Sequence, residues 1–244
     1  METENTENNK LKLTVVVPAF NEEKNLEFTV RGLLYVLNEK DLKDYEIIIF
    51  NDYSSDKTGI IADQMALKNK RIRVIHNDKN MGFGYNYKKG VEEALGAYIM
   101  IIPGDNEIIS SSFGYLIDSI GRADMVLSYI DNAEERSWFR RVISFLFVKV
   151  LNVLFSLNLK YYNGISIYPV NLVRKSMPTT FGFAFASEIA IKFLKAGATY
   201  VEVPMFVRPT NKTSAFRLKN VISVIKTIIV LFWDINIKKE RIKI

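Results

Sequence analysis

Four short, mostly apolar runs constrain this chain more than any other feature. They span residues 11–17, 45–50, 71–75 and 98–102, and each is closed by a polar loop and followed by a longer stretch with helical spacing. Runs that short and that continuous suit strands buried on both faces. Alternation of strand and helix in this order implies a largely parallel sheet with right-handed crossovers, flanked by helices.

Open sheets of this kind place ligands beyond the carboxyl ends of their strands. Glu22, Asp52 and Asp105 stand just past three of the runs, so all three acids are expected along one edge. The stretch AYIMIIPGDNEII at 97–109 is the sharpest case, because its apolar run stops at Pro103 and Gly104 and meets Asp105 at once. Pro-Gly-Asp-Asn is also ordinary turn chemistry, and in isolation it would be read as a turn. A metal on Asp105 would be hard and oxygen-ligated, Mg²⁺ or Mn²⁺.

Asn21, Glu22 and Glu23 are expected to cap a first helix reaching about residue 37, and Ser55 or Asp56 to cap the second. His76 follows the third run and reads as a strand-end or loop residue rather than a base.

Composition excludes several classes. The chain has no cysteine, which rules out disulfides, thiolate catalysis and sulfur-ligated metals. It carries a formal net charge of +6 with 48% hydrophobic residues, and much of the excess lies from Arg217 onward, next to an apolar segment. That pairing favours a membrane surface over nucleic acid.

Apolar residues recur at helical spacing at Phe139, Val142, Ile143, Leu146, Val150 and Leu154, behind Arg140 and Arg141. A second stripe runs through Val221, Ile222, Ile225, Ile228, Ile229 and Phe232. Lys149 and Asn152 interrupt the first and Lys226 the second, so neither reaches the roughly 18 apolar residues of a membrane span. They read as helices lying in a membrane plane. Residues 1–10 read as a disordered lead-in, 11–215 as one domain with halves at 11–109 and 110–215, and 216–244 as an amphipathic helix with a basic tail.

There is no Walker lysine motif, and Gly82-Phe83-Gly84 is too short for a dinucleotide fingerprint. PAFNEE at 18–23, NDYSSDKT at 51–58, NMGFG at 80–84 and PGDNE at 103–107 instead resemble, in order and spacing, the nucleotide-sugar half of family 2 inverting glycosyltransferases. The branch most similar is that of dolichyl or polyprenyl phosphate mannose and glucose synthases. RRVISFLFVKVLNVL from Arg140, YYNGISIY from Tyr161 and the stretch from Phe185 extend the likeness over residues 12–233.

The resemblance implies a GT-A fold. It also implies transfer of a hexose from a UDP- or GDP-linked sugar to a polyprenyl phosphate, with Mg²⁺ or Mn²⁺, at the inner face of the cytoplasmic membrane. Pro18, Phe20, Glu22 and Asp52 would surround the nucleoside. Gly104 and Asp105 would lie at the diphosphate and metal, Arg208 and Lys212 at phosphate, and Glu188 at the acceptor as the first candidate base, ahead of Asp131.

Departures fall on charge. Pro103 replaces the first metal-motif aspartate, Ile130 an arginine, Tyr161 and Ser166 an aspartate and an arginine, and Ser214 a lysine, with Lys212 nearby. Two other readings therefore stand beside the first: a transferase acting on a glycan hydroxyl in surface polysaccharide synthesis, and a catalytically silent nucleotide-sugar binder.

Overall fold

The structure is a computed structural model that describes residues 12–180, 182, 184–209 and 218–238. The lead-in, Lys212, Ser214, Arg217 and the tail cations Lys239, Arg241 and Lys243 lie outside them.

The first half runs β1 (Leu13–Ala19), α1 (Leu26–Glu39), β2 (Tyr45–Asn51), α2 (Thr58–Lys68), β3 (Ile72–His76), α3 (Phe83–Glu93) and β4 (Tyr98–Ile101). The second runs α4 (Ser111–Ile117), β5 (Met125–Ile130), α5 (Trp138–Phe155), β6 (Ser166–Pro169), α6 (Val170–Lys175), α7 (Phe185–Lys195), β7 (Tyr200–Met205) and α8 (Leu218–Phe232). The described strands form one seven-stranded sheet in the order β3-β2-β1-β4-β6-β5-β7. β6 lies antiparallel to β4 and β5, while every other pairing is parallel. All strands but β6 therefore end at one edge.

Both faces of the sheet are covered, which is why the runs carry no polar alternation. Val15, Val17, Ile47 and Ile49 pack on one side with Leu26, Val30, Leu33 and Leu37 of α1. Val16, Ile48 and Phe50 point the other way, into a cluster with Tyr87, Val91, Ile189 and Phe193. Successive residues of one strand thus serve two cores, as the two-residue period of a strand requires.

Two boundaries differ from the sequence expectation. β1 does not stop at Pro18 but continues to Ala19, with Pro18 opposite Phe50 of β2. The Pro18 carbonyl accepts the Gly104 N–H on the β4 side at 3.0 Å, so the missing N–H of proline also falls on that side, beyond the end of β4. Nor do Asn21, Glu22 and Glu23 cap α1, which begins only at Leu26 behind Asn25. Asn21 adopts a left-handed φ of 55°, and its side chain is spent on the neighbouring loop.

Candidate functional site

Three loops leave the sheet side by side, after β2, β1 and β4. The first two are stitched together by their own polar groups. Asn21 Oδ1 accepts the Ser55 N–H at 2.9 Å, and Asn21 N–H donates to Ser54 Oγ at 3.0 Å. Thr58 Oγ1 accepts the Glu22 N–H at 2.7 Å, and Asp56 accepts both the Glu23 N–H at 3.1 Å and the Thr58 N–H at 2.9 Å. Burial pushes the Asp56 carboxyl upward, but the hydrogen bonds from Thr58 and from backbone N–H groups outweigh it and hold the group below its ordinary value.

Asp52 is 3% exposed. Its carboxylate accepts Asn77 Nδ2 at 2.7 Å, the Met81 N–H at 2.8 Å and the Gly82 N–H at 2.8 Å. The acid therefore fastens the NMGFG loop to the end of β2. Phe20, 47% exposed at the end of β1, presents its ring at the same edge.

The loop after β4 is held from two sides. Ile102 and Gly104 extend the β4 ladder onto β1 through the Val16 and Pro18 carbonyls. A Cβ on Gly104 would come within 3.1 Å of both Ala19 Cβ and the Pro18 oxygen, so glycine permits this approach. On the far side, Ile108 bridges Val207, and Arg208 N–H donates to the Glu107 carbonyl at 2.7 Å. Arg208 Nη1 then donates to the Asn106 and Ile108 carbonyls at 3.0 and 2.9 Å. Asp105 Oδ1 accepts the Glu107 N–H at 3.0 Å. Asp105 and Arg208, 103 positions apart in sequence, are thus parts of one local structure.

Tyr53 and Asn106, like Asn21, have positive φ, at 66° and 55°. Each of the three adjoining loops therefore carries one non-glycine residue in the left-handed region. Strain of this kind gathers at binding and catalytic edges.

The shared edge agrees with the sequence reading, and along it the acids serve separate loops. Glu22 Oε2 accepts Asn25 Nδ2 at 2.6 Å, Asp52 turns to its own loop, and among the described residues no group of three or more His, Asp or Glu could hold a metal. A divalent cation would fit here only if it brought most of its oxygens with it, from water and a diphosphate, with Asp105 as the one carboxylate to offer.

Glu188 lies in the first turn of α7. It is 1% exposed rather than solvent-facing. Its carboxylate accepts Thr179 N–H and Oγ1 at 2.8 and 2.9 Å, Thr180 N–H at 3.2 Å and Lys192 Nζ at 2.6 Å. It anchors the 179–180 turn to α7, with three of these donors on Oε1 and one on Oε2. Asp131 lies exposed past β5, its N–H donating to the Met205 carbonyl at 2.9 Å. His76 ends β3 as expected, its ring between Asn51 Nδ2 at 2.9 Å and Asp63 Oδ1 at 3.0 Å. The sequence reading named Asp56 only as a cap for the second helix and did not foresee its hold on the Glu23 N–H of the neighbouring loop.

Comparison with known proteins agrees with this geometry. A family profile described as glycosyl transferase family 2 matches residues 14–177. The chain belongs to that family. A dolichyl-phosphate beta-glucosyltransferase of Dictyostelium discoideum is 26% identical over 202 residues, 75% of this chain and 61% of that one. A GalNAc(5)-diNAcBac-PP-undecaprenol beta-1,3-glucosyltransferase of Campylobacter jejuni is 30% identical over 107 residues, 43% of this chain and 33% of that one. The chain thus spans less than two thirds of either relative. Among solved structures, glucosyl-3-phosphoglycerate synthase of Mycobacterium tuberculosis, in complex with Mn²⁺, UDP and phosphoglyceric acid, superposes with a TM-score of 0.69 at 18% identity, covering 91% of this chain and 78% of that one. That likeness establishes the GT-A fold of this family member.

Proposed function

We propose that this family 2 member is a hexosyltransferase working at the cytoplasmic surface of a membrane, moving a sugar from a nucleoside diphosphate to a polyprenyl phosphate. One observation carries the choice of acceptor. α5 rises from the edge that holds Asp105, and it turns its apolar residues outward: Trp138 is 72% exposed, Phe145 65% and Val153 73%. α8 does the same with Ile222, Ile225 and Ile229. The two meet where the Phe155 and Phe232 rings pack at 6.2 Å and Asn236 Nδ2 donates to the Leu154 carbonyl. No helix among the described residues is long and apolar enough to cross a membrane. Apolar faces flanked by Arg141, Lys149 and Lys226 suit helices lying in the headgroup layer.

In this reading the acceptor phosphate oxygen attacks the anomeric carbon, the bond to the diphosphate breaks, and the nucleoside diphosphate leaves. A phosphate is already ionised near neutral pH, so the reaction needs no strong base, in keeping with the occupied carboxylate of Glu188. The barrier is set by charge growing on the leaving group. Arg208, just past β7 and hydrogen-bonded to the Asp105 loop, supplies fixed positive charge there. A divalent metal, when bound with the donor, would neutralise more of that charge, with Asp105 as its protein ligand. The relatives support the reading by name: one acts on dolichyl phosphate, and the synthase of M. tuberculosis holds Mn²⁺ with UDP.

The test is a thermal-shift screen of UDP- and GDP-sugars with and without Mn²⁺. At about 100 times its dissociation constant a donor adds about 2.7 kcal/mol of stability. Mn²⁺ alone should leave the melting temperature unchanged and should enlarge the shift given by the matching donor. Transfer of label to a polyprenyl phosphate, giving a product cleaved by mild acid, completes the case. An acid-stable product would favour a lipid-linked glycan acceptor, the kind named for the Campylobacter relative. Donor binding without transfer would mark a silent binder.

A further inference from the structure

Past the end of β7 the chain keeps the alternation of a strand. The Phe206 carbonyl accepts the Ile109 N–H at 2.9 Å, and the Arg208 N–H donates to the Glu107 carbonyl at 2.7 Å, so residues 206 and 208 pair with the Asp105 loop. Val207 lies between them and turns its own peptide groups the other way, as neighbouring residues of an extended chain do. There one side chain meets both groups. The Val207 N–H donates to Asn132 Oδ1 at 2.9 Å, and Asn132 Nδ2 donates to the Val207 carbonyl at 2.8 Å.

Register explains why Asn132 is in place to do this. β5 and β7 pair in parallel as far as Ile130 opposite Met205, and a last backbone bond runs from the Asp131 N–H to the Met205 carbonyl at 2.9 Å. Continued by two residues, the same register sets Asn132 opposite Val207. The backbone of Asn132, at φ −99° and ψ 56°, has by then left the strand to enter a short 3₁₀ turn at Ala133–Glu135. A carboxamide carries a donor and an acceptor as a peptide group does, so the side chain extends the ladder after the main chain has departed. Asparagine is a favoured capping residue, yet Asn132 makes no cap bond to the turn it precedes. Its polar atoms serve the segment across from it instead.

That segment carries Arg208, which is exposed at the edge and whose Nη1 spans the Asn106 and Ile108 carbonyls. A fixed charge lowers a barrier best when it need not move as charge develops. Ser112 of α4 accepts the Phe206 N–H at 2.8 Å, and Asn132 holds the next residue, so the main chain leading into Arg208 is fixed from the second half of the sheet as well as from the Asp105 loop. We infer that Asn132 is a positioning residue for the transfer reaction, setting Arg208 against the leaving diphosphate through Val207. The role rests on the donor reading above, and its test separates the two.

Titration calorimetry of the full chain with UDP and GDP, and with uridine and guanosine, all with Mn²⁺, measures the affinity that the diphosphate adds. Arg208→Ala should lower that gain about tenfold, the size of one charge-assisted hydrogen bond. Asn132→Ala should lower it about fivefold while leaving nucleoside affinity within about twofold, and the double variant should lose no more than Arg208→Ala alone, because the two residues act as one unit. Amide exchange gives a second readout: Asn132→Ala should speed exchange at Val207 and Arg208 about tenfold or more and leave the amides within β5 and β7 unchanged. Asn132→Ser takes its place should the alanine variant not fold. A folded variant that keeps the wild-type gain overturns the assignment, as does a loss that adds in full to that of Arg208→Ala, or an Arg208→Ala protein that binds as wild type does. Should wild type bind neither nucleotide, the donor reading falls by itself; faster exchange at Arg208 would then still support the hold of Asn132 on it, and unchanged exchange would overturn that too.

Discussion

Glu188 illustrates how an acid on the right helix can serve structure. With Thr179, Thr180 and Lys192 all donating to it, Glu188→Gln should destabilise the protein by about 2 kcal/mol, because the amide turns a donor toward groups that already donate. Urea unfolding measures this, and the turnover that remains in the folded fraction should keep its pH profile. A general base would behave in the opposite way, losing turnover by orders of magnitude at nearly unchanged stability. Asp56 provides the pH counterpart. Its carboxyl sits below the ordinary value in the folded state, so its contribution is fully present above the unfolded value near about 3.9 and is lost as pH falls through the folded one. The stability gap between wild type and Asp56→Asn should therefore be constant from neutral pH down to about 5 and shrink below about 4. A gap that widened on acidification would contradict the hydrogen-bond assignment.

At the scale of elements, the strands were legible because burial on both faces leaves a continuous apolar run, and a run such as 45–50 has few other uses. Their ends were not. Pro18 reads as a terminator, yet β1 passes through it because its missing N–H faces the β4 side, where its carbonyl still accepts the Gly104 N–H, and leaves the pairing with β2 intact. The start of α1 was misread because Asn21 has the chemistry of a cap, and only the approach of Ser54 and Ser55 from the β2 loop diverts it. Likewise the acid-bearing loops announced an edge, whereas the direction in which Asp52 turns depends on a loop 25 residues away. The helix stripes of α5 and α8 were visible as periodicity, and the structure adds that they face outward. Replacing Phe145 and Ile225, 65% and 52% exposed, by serine should change unfolding stability by no more than about 0.5 kcal/mol each. The same double variant should bind neutral phosphatidylcholine vesicles several-fold more weakly. If it unfolds readily instead, those faces are core and the membrane placement fails. Gly164→Ala should act in the contrary sense, since its Cβ would come 2.2 Å from the Ser128 carbonyl oxygen. A backbone shift between β5 and the 161–164 segment should cost about 3 kcal/mol, visible as a lowered melting temperature with no help from vesicles.

For the whole molecule, charge and apolar surface must act on the same partner if the two outward-facing helices meet a membrane. The net charge is +6, and Arg141, Lys149 and Lys226 stand exposed beside the apolar faces of α5 and α8. Each cation near an anionic surface contributes about 1 kcal/mol, so these three alone favour phosphatidylserine vesicles over neutral ones by about 3 kcal/mol at low salt, a ratio of roughly 100. Salt shortens the screening length from about 10 Å at 0.1 M to about 3 Å at 1 M. Apolar burial is not weakened by that screening. Binding to phosphatidylserine vesicles should consequently fall steeply with salt and then level off at the affinity measured for neutral vesicles, and the serine variant of Phe145 and Ile225 should lower that level. A curve that falls to no binding at all would describe a cationic protein held by charge alone. A curve with no salt dependence would mean that the basic residues face away from the layer into which α5 and α8 insert.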